Sequence, residues 1–378
     1  MDIDIIGGRP VGASHAHSIH VRAGRISAIE VKAPDVRRLL ADGLIVAPGF
    51  IDLQLNGAFG CDFTTDPGSA WEVGLSLAAT GVTAFLPTMV SAPAAAYAEA
   101  LALTRSPVPR GAVPLGWHFE GPFLSPARRG AHRQDLLREP DTSAAAGWSL
   151  AAGVRMVTVA PELPGALQLT RRLTADGVMV AAGHSDADAR NVPDAVDAGV
   201  RYATHLLNAM RGLDHRRPGI GLGLLMDPAV TVGMIADGHH LADEVLRLIW
   251  RLAGAERVSL VSDGMAALGR GPGSYVLGDE TVTVDGDGSA RLADGRLAGA
   301  VAPLDRAVRH LRDATGCDLD AAIGAVTSVP ARLLGLTDRG RLNEGSRADL
   351  VLLTEEGNVV ATLVGGEVVH GQEAIPWD

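Results

Sequence analysis

The chain has 378 residues, 47% of them hydrophobic and 20% charged, a balance that buries a large core and excludes an intrinsically disordered protein. A formal net charge of -11 excludes a general nucleic-acid surface, which needs a field of Lys and Arg, and leaves open a local basic site for a small anion. A (β/α)8 barrel takes roughly 250 residues, so the length predicts one such domain with a small companion.

The first residues carry no basic segment before an apolar stretch, and no later apolar run approaches the roughly 20 residues that span a bilayer. A cytoplasmic protein without a membrane partner is expected. Cys61 and Cys317 are the two cysteines; they form no metal or redox spacing and read as reduced thiols.

In chain order, residues 3–6, 17–21 and 25–31 read as short alternating strands, the last two parted by the Ala23-Gly24 turn. From residue 50 onwards, apolar β-branched runs alternate with helical stretches, as in a parallel sheet covered by helices. Eight runs are counted, at 50–55, 83–87, 114–119, 155–160, 178–182, 202–206, 231–236 and 257–262. Helices are expected at 69–79 and 241–253 among the connections. The count of eight favours a closed TIM-like barrel, although periodicity alone leaves an open doubly wound sheet possible. Residues 275–297 alternate around Asp285-Gly286, Asp287-Gly288 and Asp294-Gly295, which predicts β-hairpins inserted after the eighth strand. Residues 349–353, 361–364 and 367–370 read as strands, the last pair joined through Gly365-Gly366. The expectation is therefore an α/β protein: a barrel at 49–340 and a small β-sandwich domain from residues 1–48 and 341–378, the two ends of the chain.

Polar residues that bind metal or move protons stand where four apolar runs end: Glu120, His184, His205 and Asp263. In a barrel all strand C-termini open on one mouth, so these residues converge although distant in sequence. Two imidazoles and a carboxylate make a three-ligand set that keeps a metal position open for water. Seen singly, each has an ordinary role: a hydrogen-bonded strand His, a helix-capping Glu, an Asp-Gly turn. Four coincident strand ends favour the functional reading. His118 reads first as a core His with a backbone partner. His15, His17, His20, His310 and His370 read as structural.

The stretch 208–219 holds Arg211, Arg216, Arg217 and His215 in an otherwise acidic chain, and Arg matches phosphate bidentately. It is either an anion site or a solvated basic loop. Arg128-Arg129-Gly130-Ala131-His132-Arg133 and His239-His240 are two further basic groups on loops at the expected mouth.

The segments Pro48-Gly49-Phe50-Ile51-Asp52, His118-Phe119-Glu120-Gly121-Pro122, Gly183-His184-Ser185, His205-Leu206-Leu207-Asn208-Ala209-Met210 and Asp237-Gly238-His239-His240 together resemble the N-acetylglucosamine-6-phosphate deacetylases of the amidohydrolase superfamily. The first is shared across the superfamily and says little of function; the Glu-Gly-Pro, Gly-His-Ser and His-Leu-x-Asn-Ala-Met set is specific to the deacetylase branch. The resemblance implies that Glu120, His184 and His205 hold one divalent metal, Zn2+ or Fe2+, and that Asp263 is the general base and acid. It also implies that His132 faces the acetyl group and sugar. It implies as well that Asn208, Ala209, Arg216 and His240 contact the phosphorylated sugar, and by analogy a homodimer is expected in which one phosphate ligand comes from the neighbouring subunit.

Two departures bear on these expectations. Many superfamily members carry His-x-His on the first strand, where this chain has Gln54 and Asn56. A neutral carboxamide is a poorer ligand, so a second metal there is expected to be weak or absent. Residues 297–303 replace a Ser-rich segment known in relatives, which bears on contacts to the N-acetyl group. The rival expectations are another amidohydrolase, such as a cyclic-amide hydrolase or deaminase, and a non-catalytic barrel that binds without turnover. The first would use a two-metal His pair and a carboxylated Lys; the second would lack ligands that this chain retains.

Overall fold

A computed structural model of the chain describes residues 2–30, 37–103 and 110–378. Its centre is a parallel barrel of eight strands: β1 (Phe50–Leu55), β2 (Val82–Met89), β3 (Trp117–Glu120), β4 (Val154–Val159), β5 (Met179–Ala182), β6 (Val200–Ala203), β7 (Thr231–Met234) and β8 (Val258–Leu260). Each pairs in parallel with the next. At the end of β1 and just beyond β8, Leu55 and Gly264 form a parallel bridge, with Asp263 N donating to Gln54 O at 3.0 Å and Asn56 N to Gly264 O at 2.7 Å. These bonds close the ring and exclude the open sheet.

Side-chain alternation builds two layers of core from each strand. Ile51, Leu86, Met156 and Ala181 pack inside the barrel, while their neighbours Phe50, Phe85, Val157 and Val180 meet helix residues such as Leu169, Leu173, Leu246 and Ile249. The covering helices include Ala166–Ala175, Asp243–Ala253 and Leu304–Thr315.

The chain ends form two further sheets. One holds Ile3–Ile6, Ser18–Arg22, Arg25–Glu30 and Arg38–Leu40; the other holds Arg9–Pro10, Ile45–Pro48, Leu350–Leu353, Val359–Val364 and Glu367–His370. Ile3, Ile5, Ile19 and Val21 of the first meet Val46, Leu350, Leu352 and Leu363 of the second in one buried core, which makes the pair a sandwich. The alternate residues Ile45, Ala47, Val351 and Leu353 join the barrel core instead. The expected hairpin at Gly365-Gly366 is present, with both glycines at positive φ (55° and 76°) as a tight two-residue turn requires. Val31, the end of the expected strand 25–31, lies outside the described residues.

Several expectations shift. The third barrel run is split into Val113–Pro114 and Trp117–Glu120, because Gly116 (φ +118°) turns the chain so closely against Gly153 that a Cβ would stand 2.8 Å from its carbonyl oxygen. The helix expected at 69–79 is a 3-10 turn, Pro67–Trp71, followed by one short helix, Gly74–Ala78. Gly74 backs onto Ala112 and Arg110, whose carbonyl oxygens would lie 2.7 and 2.8 Å from a Cβ. The sixth run leaves the sheet at Ala203 rather than at 206, since the residues beyond it turn into the mouth. The insertion is a three-stranded antiparallel sheet, Gly273–Leu277, Glu280–Val284 and Ala290–Arg291, whose first turn is Gly278-Asp279.

Candidate active site

Glu120 is the last residue of β3; His184, His205 and Asp263 follow the ends of β5, β6 and β8. The three that follow their strands have left-handed backbones, φ +47°, +26° and +47°. Such conformations cost non-glycine residues on the order of 1–3 kcal/mol each and cluster where function demands them. Here they break the strand direction and turn each side chain into the mouth. Gly121, directly after Glu120, is needed both for φ +93° and because a Cβ would meet Ser91 Oγ at 2.5 Å.

The resulting contacts are tight. Glu120 Oε1 lies 3.1 Å from His184 Nε2 and 2.9 Å from His205 Nε2, and the two nitrogens are 3.1 Å apart. In a tetrahedral site with bonds of about 2.0–2.1 Å, donors stand roughly 3.3 Å from one another. The triangle therefore has the size a divalent cation requires. All three residues are buried. His184 Nδ1 is 3.0 Å from the carbonyl oxygen of Arg128; a carbonyl only accepts, so Nδ1 carries the proton and Nε2 offers its lone pair to the centre. The donor set fits a metal.

Asp263 adjoins this triangle through the first strand. Gln54 Nε2 donates to Glu120 Oε1 and to Asp263 Oδ1, both at 3.0 Å, and Asn56 Nδ2 donates to Asp263 Oδ1 at 2.8 Å. Carboxylates only accept, so Gln54 and Asn56 present their NH2 groups to these acids and hold them as hydrogen-bond donors. His132 is fixed from behind: the Ser91 backbone N–H donates to its Nδ1 at 3.1 Å. That leaves the proton of the neutral ring on Nε2, which lies 3.7 Å from Glu120 Oε2.

Burial opposes the ionisation of Glu120, yet the imidazoles of His132, His184 and His205 outweigh it and hold the carboxyl well below its usual range. Burial and the charge of Glu120 push Asp263 up to about 6, against the pull of His205, His240 and Asn56. Burial, assisted by His132, lowers His184 to about 4, against the pull of Glu120. Adjacent acids thus differ in proton affinity, the arrangement that divides binding from proton transfer.

These groups open into a cavity of about 340 Å3 whose wall also holds Arg128, Asn208, Ala209, His240, Arg296 and Leu297. His240 Nδ1 is 2.7 Å from Asp237 Oδ2. Burial works against the charge of Asp237, but this bond, the charge of His240 and the amides of His239 and His240 keep its carboxyl well below the usual range. Of the expected site residues, Glu120, His132, His184, His205, Asn208, Ala209, His240 and Asp263 share this cavity. Arg216 does not: it is exposed on the loop after His205, where its backbone N–H donates to Asp214 Oδ1 at 2.7 Å.

His118 is the core residue it resembled in the sequence. Nδ1 is 3.1 Å from Leu53 O and Nε2 2.8 Å from Thr158 Oγ1, and burial lowers the ring to about 4.

The Amidohydrolase family model matches residues 45–369, most of the chain. The chain belongs to the amidohydrolase family. Within the family it is 42% identical to human N-acetylglucosamine-6-phosphate deacetylase over 376 residues, covering 94% of this chain and 91% of the relative. The structure of N-acetylglucosamine-6-phosphate deacetylase from Pasteurella multocida superposes with a TM-score of 0.91 at 29% identity, covering 97% of this chain and 99% of that one. A mutant of the Mycobacterium smegmatis enzyme, in complex with N-acetyl-D-glucosamine-6-phosphate, gives 0.89 at 34% identity with the same coverage.

Two family-site neighbours were missed in the sequence. Ser91 lies two residues past the end of β2, which runs to Met89 rather than Pro87, so even the full strand stops short of it. Arg296 sits in the inserted sheet, and no local pattern marks its reach into the cavity.

Proposed function

We propose that the protein hydrolyses the acetamide of N-acetyl-D-glucosamine 6-phosphate to D-glucosamine 6-phosphate and acetate. The observation that carries this reading is the buried triangle of Glu120, His184 and His205 with Asp263 tied to it through Gln54, in a chain whose relatives are named for this reaction.

An amide is a weak electrophile with a poor amine leaving group. Its hydrolysis needs an activated water, a stabilised oxyanion and a proton for nitrogen. Glu120, His184 and His205 would hold one divalent ion, Zn2+ or Fe2+, which lowers the pKa of water and polarises the carbonyl. Asp263 takes the proton of the attacking water and returns it to the departing nitrogen. His132 donates its Nε2 proton to the developing oxyanion, held in that tautomer by Ser91. Asn208, Ala209 and His240 bind the phosphorylated sugar, and Arg216 reaches the phosphate from the neighbouring subunit of a homodimer. That assignment accounts for an Arg expected at the phosphate yet absent from the cavity of its own chain. The NH2 groups of Gln54 and Asn56, turned to the acids, argue for a single ion. Residues 1–48 and 341–378 act as one small domain beside the catalytic barrel at 49–340, and the protein works in the cytoplasm.

Binding energy from the phosphate orients a distant acetyl group. kcat/KM for N-acetylglucosamine 6-phosphate is therefore expected to exceed that for N-acetylglucosamine at least about 100-fold. Free amine released at comparable kcat/KM from both sugars would refute the phosphate assignment; none from either would refute the function.

A further inference from the structure

The inserted sheet at 273–291 and the segment that returns from it stand over the mouth of the barrel. They have an apolar core of their own, Leu277, Val282, Val284, Ala290 and Leu292, which packs against Val90 and Ala131. The insertion is tied to the loop that carries His132 at two places. Arg133 Nη1 is 3.3 Å from Asp279 Oδ2, and Arg296 Nη1 donates to the carbonyl oxygen of Gly130. Arg296 is not a free cation, for Asp294 Oδ2 is 2.8 Å from its Nε and 2.6 Å from its Nη2.

The loop that Arg296 grips touches two of the site's imidazoles. Gly130 has φ +56°, and a Cβ there would stand 3.1 Å from His184 Cε1. Two residues earlier, the Arg128 carbonyl oxygen fixes the tautomer of His184; two residues later comes His132 itself, whose carbonyl accepts from Arg129 Nη1 at 3.0 Å. Residues 128–132 have little regular structure, only the end of the 3-10 turn Pro126–Arg128. Beside the local backbone bonds Arg128 N to Ser125 O and His132 N to Arg129 O and the Ser91 amide on His132, the bond from Arg296 to Gly130 O is a charge-assisted tie from the inserted sheet, and charge-assisted bonds are the strong ones.

We propose that Arg296 is a positioning residue: by holding the Gly130 carbonyl it clamps the 128–132 loop, and so fixes the rings of His184 and His132 relative to each other. This rests on the deacetylase reading above. The inserted sheet is then a working part of the site, and its loss would be felt at the reacting atoms although Arg296 touches none of them.

The test compares Zn2+-loaded wild type, Arg296→Ala and Arg296→Lys on N-acetylglucosamine 6-phosphate and N-acetylglucosamine, with release of the ion to a chelator followed in parallel. Arg296→Ala is expected to lower kcat on both sugars by roughly 10- to 100-fold and to speed metal release, as loss of a group supporting a ligand does. The preference between the sugars should stay as in wild type, and Arg296→Lys, which keeps a donor, should recover part of both losses. Unchanged kcat and metal release would overturn the proposal. So would a loss confined to KM for the phosphorylated sugar, which would make Arg296 a substrate contact. If wild type turns over neither sugar, the deacetylase reading fails, while the metal-release comparison still decides the clamp. Should Arg296→Ala not fold, Arg296→Met keeps the aliphatic stem without the donor and takes its place.

Discussion

At the residue scale the proposed chemistry rests on Asp263. Its Oδ1 receives Gln54 and Asn56 while burial keeps its proton affinity high, so it is held in place yet able to carry a proton. Asp263→Asn preserves the shape and an acceptor for both amides but removes the base. Turnover should fall at least about 100-fold with metal content unchanged; elemental analysis beside the kinetics checks both, and an active variant would remove Asp263 from its role. Glu120, His184, His205 and Asp263 were legible in the sequence because each follows an apolar run, and strand ends of a barrel share a mouth. The left-handed backbones of His184, His205 and Asp263 were not, since nothing in a His or an Asp marks a positive φ. Arg296 was also hidden, because its partner Gly130 is 166 residues away.

At the scale of elements, the seam between β1 and β8 decides where Gln54 meets Asp263. Asp52 Oδ1 accepts from Gln54 N and Ser262 N, both at 3.2 Å, so one buried carboxyl staples the first strand to the last. Burial raises Asp52 to about 7, partly offset by its bonds to Ser262 and Gln54. A carboxyl raised above its unfolded value near 3.8 binds protons more tightly in the folded state. The stability it contributes is therefore present below pH 4 and lost as pH rises through about 7. Asp52→Asn keeps the acceptor without the buried charge, and should gain stability relative to wild type between pH 5 and pH 8, by roughly 3 kcal/mol. Urea unfolding at the two pH values reads this; an equal difference at both would show that Asp52 does not titrate in this range. The eight strands were readable from periodicity. The split third strand and the broken helix at 69–79 were not, because Gly116 and Gly74 are there for contacts with Gly153 and Ala112, which no local window contains.

For the whole molecule, the proposal of a homodimer in which Arg216 serves the partner's site makes a separable prediction. In a hybrid of an Arg216→Ala subunit with an Asp263→Asn subunit, one site keeps both groups and the other has neither. Mixed at equal amounts and reassociated, two nearly inactive variants should recover about a quarter of wild-type activity, as random pairing of a two-fold dimer gives. No recovery would place Arg216 in the site of its own chain or outside the reaction. The sandwich was legible as two strand-rich ends, although its sharing of Ile45–Pro48 and Leu350–Leu353 with the barrel core became visible only in the fold.

Metal titration tests the central claim most directly. Protein stripped by a chelator is given increasing Zn2+ or Fe2+, and acetate and free amine are measured from N-acetylglucosamine 6-phosphate. The two products should appear in equal amounts, absent before metal is added, rising in proportion to it and levelling at about one equivalent per chain. Full turnover without metal, or no turnover at any metal content, would contradict the account.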